Sequence, residues 1–462
     1  MTPYIPKNIS QILDLLENNG ASDVLVVGGY VRDRILGIPS KDVDIEVYGL
    51  SYAQIRDILS PFFSVSLVGQ AFGVLKVGRD VDVTLPRRES KAGLGHRGFD
   101  VEWIPTLAPL EAFARRDFTI NAIGLRRDGT FCDPYNGLGD LKHKILRATT
   151  PAFKEDPLRV LRGVQFAARF GFTTDSQTLQ YCREVLSEFP TLSKERVYEE
   201  WKKWALKGEY PEFGLLFLRN SGWIEAFPEL FSLVDHSFSF QGSHTKEDLW
   251  SHTLTVCKEA ANLVRKHSEE LTADDITKVM FSALTHGMVM SVFFNGKESK
   301  HKKGDCAVST KIVCEFFEKM RTPYRILNSI ERLVSEYITD VQVVSVSSIR
   351  RLANRLVPAN IKLWGILRKA FLLSLMQGDT RVSSQVELEK TELLVKKARE
   401  LHLLESAPLP VIRGRDLCAL GVKPGYQMGK ILKLAFEAQL DNLFSTTAEG
   451  IEYVKTSGWL EM

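Results

Sequence analysis

Four apolar residues in a row, Val24-Leu25-Val26-Val27, run into Gly28-Gly29 and open the first readable unit of the chain. A short continuous apolar run bounded by glycine predicts a buried strand. Residues 30–36 predict a short helix stopped by Gly37 and Pro39. Residues 42–47 predict the next strand, and its Asp42 and Asp44, at i and i+2, share one face. Further short apolar strands are expected at 65–68, 73–77, 80–85 and 120–125. After Pro151 the strands all but vanish, and helical periodicity dominates to the end of the chain. The pattern predicts an α+β protein: a small α/β head over residues 1–150, followed by a long all-helical remainder. Breaks are expected near 150, within 210–245 and near 405, where Pro408, Pro410 and Gly414 interrupt the helices. That gives a head (1–150), a neck (151–215), a body (216–405) and a C-terminal segment (406–462).

Composition narrows the class without choosing a function. The 462 residues are 44% hydrophobic and 25% charged, ordinary for a globular protein. A net charge of +3 means that any basic face is local. The six cysteines are scattered with no Cys-x-x-Cys, which argues for a reducing compartment and against a zinc ribbon. No run of eighteen apolar residues predicts a membrane span, and the N-terminus lacks an apolar signal core. A cytoplasmic location is the expectation.

Chemistry enters with the head. Gly28-Gly29 lets the backbone turn sharply and approach a ligand. The amides of the helix that follows are suited to an anion. Asp42 and Asp44, beside that turn, form a hard-oxygen site for Mg²⁺. Two unrelated acids on a solvated strand edge are the alternative. Arg115-Arg116-Asp117, with Asn121 four residues on, suits a triphosphate and a ribose, because the guanidinium fork matches phosphate. A helix-capping Arg-Asp pair would serve equally as plain structure. Asp133-Pro134-Tyr135-Asn136-Gly137 reads as a turn that places the next helix. That helix carries Asp156, Arg159 and Arg162 at intervals of three, on one face, with Pro157 in its first turn. An Asp beside an Arg can match the Watson–Crick edge of a free base. An intrahelical ion pair is the simpler alternative.

Taken in order, these segments resemble the class II tRNA nucleotidyltransferases, the CCA-adding enzymes, and their bacterial poly(A) polymerase relatives. Gly28-Gly29-Tyr30-Val31-Arg32-Asp33 with Asp42-Val43-Asp44 is similar to that family's metal motif. Arg115 to Ala122 resembles its ribose and phosphate motif, Glu155-Asp156-Pro157-Leu158-Arg159 its base-reading motif, and Lys194-Glu195-Arg196-Val197 the helical motif that follows. The resemblance spans roughly residues 22–205. It implies that Asp42 and Asp44 hold Mg²⁺, with Asp82 a candidate third carboxylate or else a solvent-facing strand residue. It implies that Gly28, Gly29 and Arg32 meet the triphosphate and that Arg116 binds the incoming nucleotide. Asp117 and Asn121 would lie near the ribose. Asp156 and Arg159, assisted by Arg162, would select C or A without a nucleic-acid template. The implied partners are CTP, ATP and the 3′ end of tRNA. Gln165 stands where many relatives carry another arginine. Residues 86–98, basic and glycine-rich, fall where the family has a mobile loop that helps the switch from C to A. Residues 1–22 hold Lys7 as their one basic residue, unlike the basic run expected of a poly(A) polymerase.

The later half is plainer. Trp250-Ser251-His252-Thr253 and Leu284-Thr285-His286-Gly287 resemble remnants of a metal-dependent phosphohydrolase (HD) domain carried by some relatives. Gly287 stands where that pattern has a ligating Asp, so a broken metal site and two partly buried histidines are expected. Lys297, Lys300, Lys302 and Lys303 form a short basic run, expected as a loop or as a contact with tRNA phosphates. Residues 409–430 resemble the C-terminal segment of the same relatives.

Overall fold

The structure is a computed structural model that describes residues 5–68, 73–91, 99–234, 237–238, 247–293, 306–337, 343–376 and 381–461. Lys297, Lys300, Lys302 and Lys303, and residues 92–98 of the basic glycine-rich segment, lie outside the described residues. The chain divides into two compact units, Met1–Ala226 and Phe227–Met462.

The first unit is built around a seven-stranded sheet ordered β3-β4-β5-β2-β1-β8-β9. Its strands are β1 (Asp23–Val27), β2 (Val43–Tyr48), β3 (Val65–Val68), β4 (Val74–Val77), β5 (Val81–Thr84), β8 (Gly124–Leu125) and β9 (Phe131–Cys132). A separate hairpin, β6 (Arg87–Lys91) and β7 (Phe99–Trp103), stands outside the sheet. The apolar run of β1 lies at the centre, with Val24, Leu25 and Val26 fully buried. β2 runs antiparallel to β1 and parallel to β5. This register sets Asp44 opposite Val27, next to the glycine turn, and beside Asp82. Neighbouring residues in register share a face of the sheet, so the order of strands brings the two acids together.

Helix α1 (Lys7–Asn18) covers the sheet with Ile9, Ile12, Leu13 and Leu16, at helical spacing. Helix α2 (Gly29–Ile35) starts directly from the glycine turn, and α3 (Tyr52–Leu59) begins with a Ser51–Gln54 capping box. The expected strand at 120–125 is shorter than its apolar pattern suggests. Thr119–Asn121 forms a 3-10 turn, and only Gly124–Leu125 pairs as strand. The side chains of Thr119 and Asn121 bond sideways to Asp140 and Asp117. Local hydrogen bonding of this kind competes with extended pairing.

Beyond α4 (Pro109–Ala114) and α5 (Gly137–His143), the first unit becomes helical. Helix α6 (Leu158–Phe170) is nearly all buried and packs between α8 (Lys194–Lys207) and α9 (Pro211–Asn220), after α7 (Ser176–Glu184). Trp204 donates its indole N–H to Pro211 O at 3.1 Å and ties α8 to α9.

The second unit is helical apart from one short antiparallel pair, Ser237–Phe238 with Glu247–Asp248. After the short α10 (Pro228–Phe231), α11 (Leu249–Lys266), α12 (Ala273–Phe293) and α14 (Tyr324–Glu336) pack with α13 (Cys306–Glu318) and α15 (Val346–Leu356). Helix α16 (Ile361–Leu375) runs through this core and α17 (Arg381–Glu400) lies along it. The last helices, α18 (Gly414–Ala419), α19 (Tyr426–Leu440) and α20 (Thr447–Thr456), enclose their own small core of Ile412, Leu417, Ile431, Phe444 and Val454. None of the helices among the described residues is long and apolar enough to cross a membrane.

Candidate active site

The glycine turn fixes the first wall of the site. Gly28 has φ 72° and ψ −136°, a conformation that L side chains rarely adopt. Space is also tight: a Cβ on Gly28 would lie 3.1 Å from Arg116 Nη1, which would have to shift slightly, and 3.7 Å from Asp44 Oδ2. The turn therefore lets a guanidinium and a carboxylate close in on the backbone from two sides.

Around it lies a cleft of about 530 Å³. Its lining comes from well-separated segments: Gly28, Gly29 and Arg32; Asp44; Arg87; Arg115, Arg116, Asp117 and Asn121; Asp156, Leu158, Arg159, Arg162 and Phe166; and Arg196. Seven arginines face three aspartates there, a balance suited to a polyanion such as a nucleoside triphosphate. Of the residues predicted from sequence, Gly28, Gly29, Arg32, Asp44, Arg116, Asp117, Asn121, Asp156, Arg159 and Arg162 all line this one cleft.

The acids sit at one edge. Asp42 and Asp44 are exposed, two residues apart on the lead into β2. Although Asp44 opens onto the cleft, its carboxyl is crowded by protein. Desolvation holds it above the usual carboxylate range, Asp82, Asp42 and Glu46 push it the same way, and Arg116 opposes them. These acids therefore feel one another, as ligands of a shared cation must. Asp82 is partly exposed and lies 3.0 Å from Lys76 Nζ. Its Oδ1 is buried without a hydrogen-bond partner, so that contact is ionic and poorly aligned. A cluster of carboxylates that raise one another's proton affinity, as Asp42 and Asp82 do for Asp44, suits a hard divalent cation. Among the described residues no three metal-ligating side chains converge into a finished cage. A cation held by Asp42 and Asp44 would draw its other ligands from phosphate and water, the ordinary habit of Mg²⁺.

The cationic wall is held by a buried network. Arg32, 4% exposed, donates to Asp33 Oδ1 at 2.7 and 2.8 Å and to Asn121 Oδ1 at 2.5 Å. Burial pulls its guanidinium below its ordinary value and Asp33 pulls it back. It lies over the rings of Phe166 and Phe170 at 5.1 and 4.9 Å. Arg169 completes the Asp33 side with a 2.8 Å contact to Oδ2. Asn121 passes the network on by donating to Asp117 Oδ1 at 2.9 Å. Asp117 Oδ1 also accepts from the Phe118 amide, and Oδ2 accepts from Arg162 Nε at 2.6 Å. Burial alone would raise the Asp117 carboxyl, but Arg162, Asn121 and the Phe118 amide outweigh it and hold it low. Asp117 is thus a hub joining the 3-10 turn to α6. The motif suggested a place near the ribose and gave no sign of this pairing.

The base-reading candidates are arranged differently from a simple helical ion pair. Asp156 lies two residues before α6, and its Oδ1 accepts from the amide of Leu158, the first residue of that helix, at 3.0 Å. Its Oδ2 pairs with Arg196 of α8 at 2.9 Å. Arg159 donates to the carbonyls of Ala152 at 2.6 Å and Arg115 at 2.7 Å. Both side chains are oriented by neighbours other than each other. Arg87, Leu158 and Arg196 fall in segments of the resemblance, but the sequence does not single them out as site residues. The partner of Arg196, 40 residues away, cannot be read from spacing. Gln165 is buried in α6 and does not line the cleft.

In the second unit His252 and His286 meet, with ring centroids 5.2 Å apart. Phe371 packs against both and Tyr337 against His286. His286 Nδ1 faces Ala283 O at 2.6 Å, and Nε2 is buried without a partner. Burial pulls His252 well below its ordinary value and His286 down to about 4. Gly287 packs so closely that a Cβ would lie 2.4 Å from Thr253 Oγ1.

Known proteins resemble this chain in sequence and in fold. Residues 24–147 match the poly A polymerase head domain. The multifunctional CCA protein of Vibrio vulnificus is 34% identical over 310 residues, covering 65% of this chain and 71% of its own length. That of Vibrio parahaemolyticus is 36% identical over 307 residues, with coverage of 65% and 71%. The crystal structure of the Bacillus stearothermophilus CCA-adding enzyme in complex with CTP aligns over 98% of this chain and 97% of its own, with a TM-score of 0.65 and 19% identity. The Thermotoga maritima CCA-adding enzyme complexed with tRNA aligns over 98% and 96%, with a TM-score of 0.56 and 19% identity. At such identity these two structures speak for the fold, an α+β head followed by helices. The curated relatives carry the likeness further, into sequence across more than two thirds of their length, and on that ground the chain belongs to the family of class II tRNA nucleotidyltransferases, the CCA-adding enzymes and their poly(A) polymerase relatives.

Proposed function

We propose that this chain adds C, C and A, from CTP and ATP, to the 3′ end of tRNA without a nucleic-acid template. The observation that carries the reading is the convergence of the separated motifs on one arginine-lined cleft. In this reading residues 1–150 form the head that handles phosphates and residues 151–215 the neck that reads the base. The tRNA 3′-hydroxyl attacks the α-phosphorus and pyrophosphate leaves. A divalent metal, here taken as Mg²⁺, would be held by Asp42 and Asp44 and would supply charge neutralisation at the reacting phosphate. Asp82, beside Asp44 in register, would adjust the charge of that edge.

The protein's own share is positioning and electrostatics, as is general for phosphoryl transfer. The Gly28-Gly29 amides and Arg32 border the triphosphate. Arg116, against Gly28 and above the Phe113 ring, faces its charge. Asp117 and Asn121 brace the ribose side through Arg32 and Arg162. Asp156 and Arg159 present an acceptor and donors to the base, each held in place by a separate partner. Pre-oriented polar groups discriminate well, because a wrong base leaves them unpaired.

The test is incubation of purified protein with tRNAs lacking the last three, two or one nucleotides, each NTP supplied separately. The expected result is C on the first two substrates and A on the third. Addition of C alone, of A alone, or of long A runs would assign a narrower or different member of the family.

A further inference from the structure

Glu46 takes no part in the cleft wall, yet it is the most deeply placed acid beside it. It lies two residues beyond Asp44 and four beyond Asp42, so three carboxylates step inward along one face of β2. It is 1% exposed. Oε1 accepts from the Tyr48 hydroxyl at 2.5 Å. Oε2 lies 3.4 Å from Arg116 Nη2 and 3.8 Å from Arg115 Nη2. Arg116 is held on its other sides by the Asn121 carbonyl, 3.1 Å from Nη1, and by the Phe113 ring, 4.8 Å below. Nη1 is the atom that faces Gly28. A buried ion pair adds little to stability compared with apolar residues of the same volume. Stability alone is therefore a weak reason for Glu46 to sit there, and the geometry directs attention to what it does to the two arginines.

We propose that Glu46 is a positioning residue: it holds Arg116, and with it Arg115, turned toward the Gly28-Gly29 turn, so that both meet the phosphates that leave as pyrophosphate. The proposal rests on the nucleotidyl-transfer reading. It differs in sign from a simple counter-charge. A buried carboxylate acting only through its charge weakens the attraction of the cleft for an anion, and its removal tightens binding. A carboxylate that orients guanidinium groups does the reverse, because fixed forks lose less freedom on binding.

The experiment compares wild type with Glu46→Gln, which keeps the length and an acceptor for Tyr48. Binding of CTP and of inorganic pyrophosphate is measured by calorimetry in magnesium buffer without tRNA, with a thermal melt alongside. Both ligands should bind Glu46→Gln about tenfold more weakly, the scale of one charged hydrogen bond. In steady-state extension KM for CTP and ATP should rise while kcat moves less. Tighter binding would overturn the proposal in favour of a counter-charge. Unchanged affinity with a lowered melting temperature would overturn it in favour of plain structure. If Glu46→Gln does not fold, Tyr48→Phe releases the carboxylate from its hydroxyl and should weaken both ligands in the same direction; unchanged affinity there refutes the role. Wild-type protein that binds CTP but extends no tRNA would fail the reaction and leave Glu46 to be judged on binding. Equal binding by wild type and variant would fail Glu46 alone.

Discussion

The cleft of the first unit and the histidine pair of the second both gather polar side chains that a sequence motif brings to notice. In the first unit, Asp42 and Asp44 stay exposed, Asp44 lines the cleft, and seven arginines surround an open space of about 530 Å³. In the second unit, His252 and His286 are sealed among Phe371 and Tyr337, and Gly287 presses on Thr253. Polar atoms that keep room and opposite charge around them can meet a ligand. Polar atoms that lose both become part of a core, and the cost of burying them is met by giving up their charge. Motif spacing is shared by the two regions; solvation separates them.

The sharpest way to break this contrast is at the carboxylates. Asp42→Ala and Asp44→Ala should each lower nucleotide addition on the order of a thousandfold, since loss of a metal ligand removes several kcal/mol of transition-state stabilisation. The fold should hold. Both residues are exposed, and Asp44 already sits above the usual carboxylate range, so each melting temperature should stay within roughly 2 °C of wild type. Near-wild-type incorporation by both variants in Mg²⁺ would falsify the metal role.

The second unit invites the opposite manipulation. Gly287→Asp puts back the side chain that the phosphohydrolase pattern asks for. Its Cβ would arrive 2.4 Å from Thr253 Oγ1, in a helix with no space beside it. Overpacking together with a buried carboxylate should cost about 3 kcal/mol. The melting temperature should drop, and no hydrolysis of 2′,3′-cyclic phosphates or phosphomonoesters should appear in Mn²⁺ or Ni²⁺. Hydrolysis by the wild type, lost on His286→Ala, would show that the pair is a working site after all.

How legible the two regions were follows from the range of the forces involved. The strand at 24–27, the glycine turn and the helix after Asp156 are set by local pattern, and each lies within a residue or two of its expected place. The expected strand at 120–125 gave way to a turn because Asn121 bonds to Asp117 and Arg32. Arg32 lies 89 residues away, and no local period records it. The same holds for Asp156 with Arg196 and for Glu46 beneath Arg116. Residue types marked the site, but the partners that orient them are tertiary. The pattern marks Gly287 only as a missing ligand; that a Cβ there would press on Thr253 is a fact of packing.

Base choice sharpens the cleft side of the contrast. If Asp156 and Arg159 read the base edge, removing either should relax selection before it stops chemistry. A lost charged hydrogen bond costs roughly 1.5–3 kcal/mol, or about ten- to a hundredfold in discrimination. UTP and GTP should gain on CTP and ATP in kcat/KM on a tRNA lacking CCA. Asp156→Ala also frees Arg196, which the helical motif did not foretell, so its effect should exceed that of Arg196→Ala. Unchanged ratios in both Asp156→Ala and Arg159→Ala, with activity kept, would sink the template role and leave these residues as struts of α6.

The smallest effect expected is a pH dependence confined to the second unit. His286 falls from an ordinary value of 6.5 to about 4 because burial disfavours its charged form, and His252 falls in the same direction. The unfolded chain therefore binds more protons than the folded one below 6.5. The stability that neutral His286 confers is present above 6.5 and is lost as pH falls toward 4. By pH 5.5 the loss from His286 alone should be about 1 kcal/mol relative to pH 7, with His252 adding to it. Urea unfolding followed by tryptophan fluorescence at pH 7, 6 and 5.5 measures this, with Trp250 and Trp364 buried in that unit as reporters. His286→Gln should flatten the slope even if it lowers stability at every pH. Equal slopes in wild type and variant would mean that His286 takes up protons alike in the folded and the unfolded chain, and that the second unit keeps a solvated polar site as the first one does.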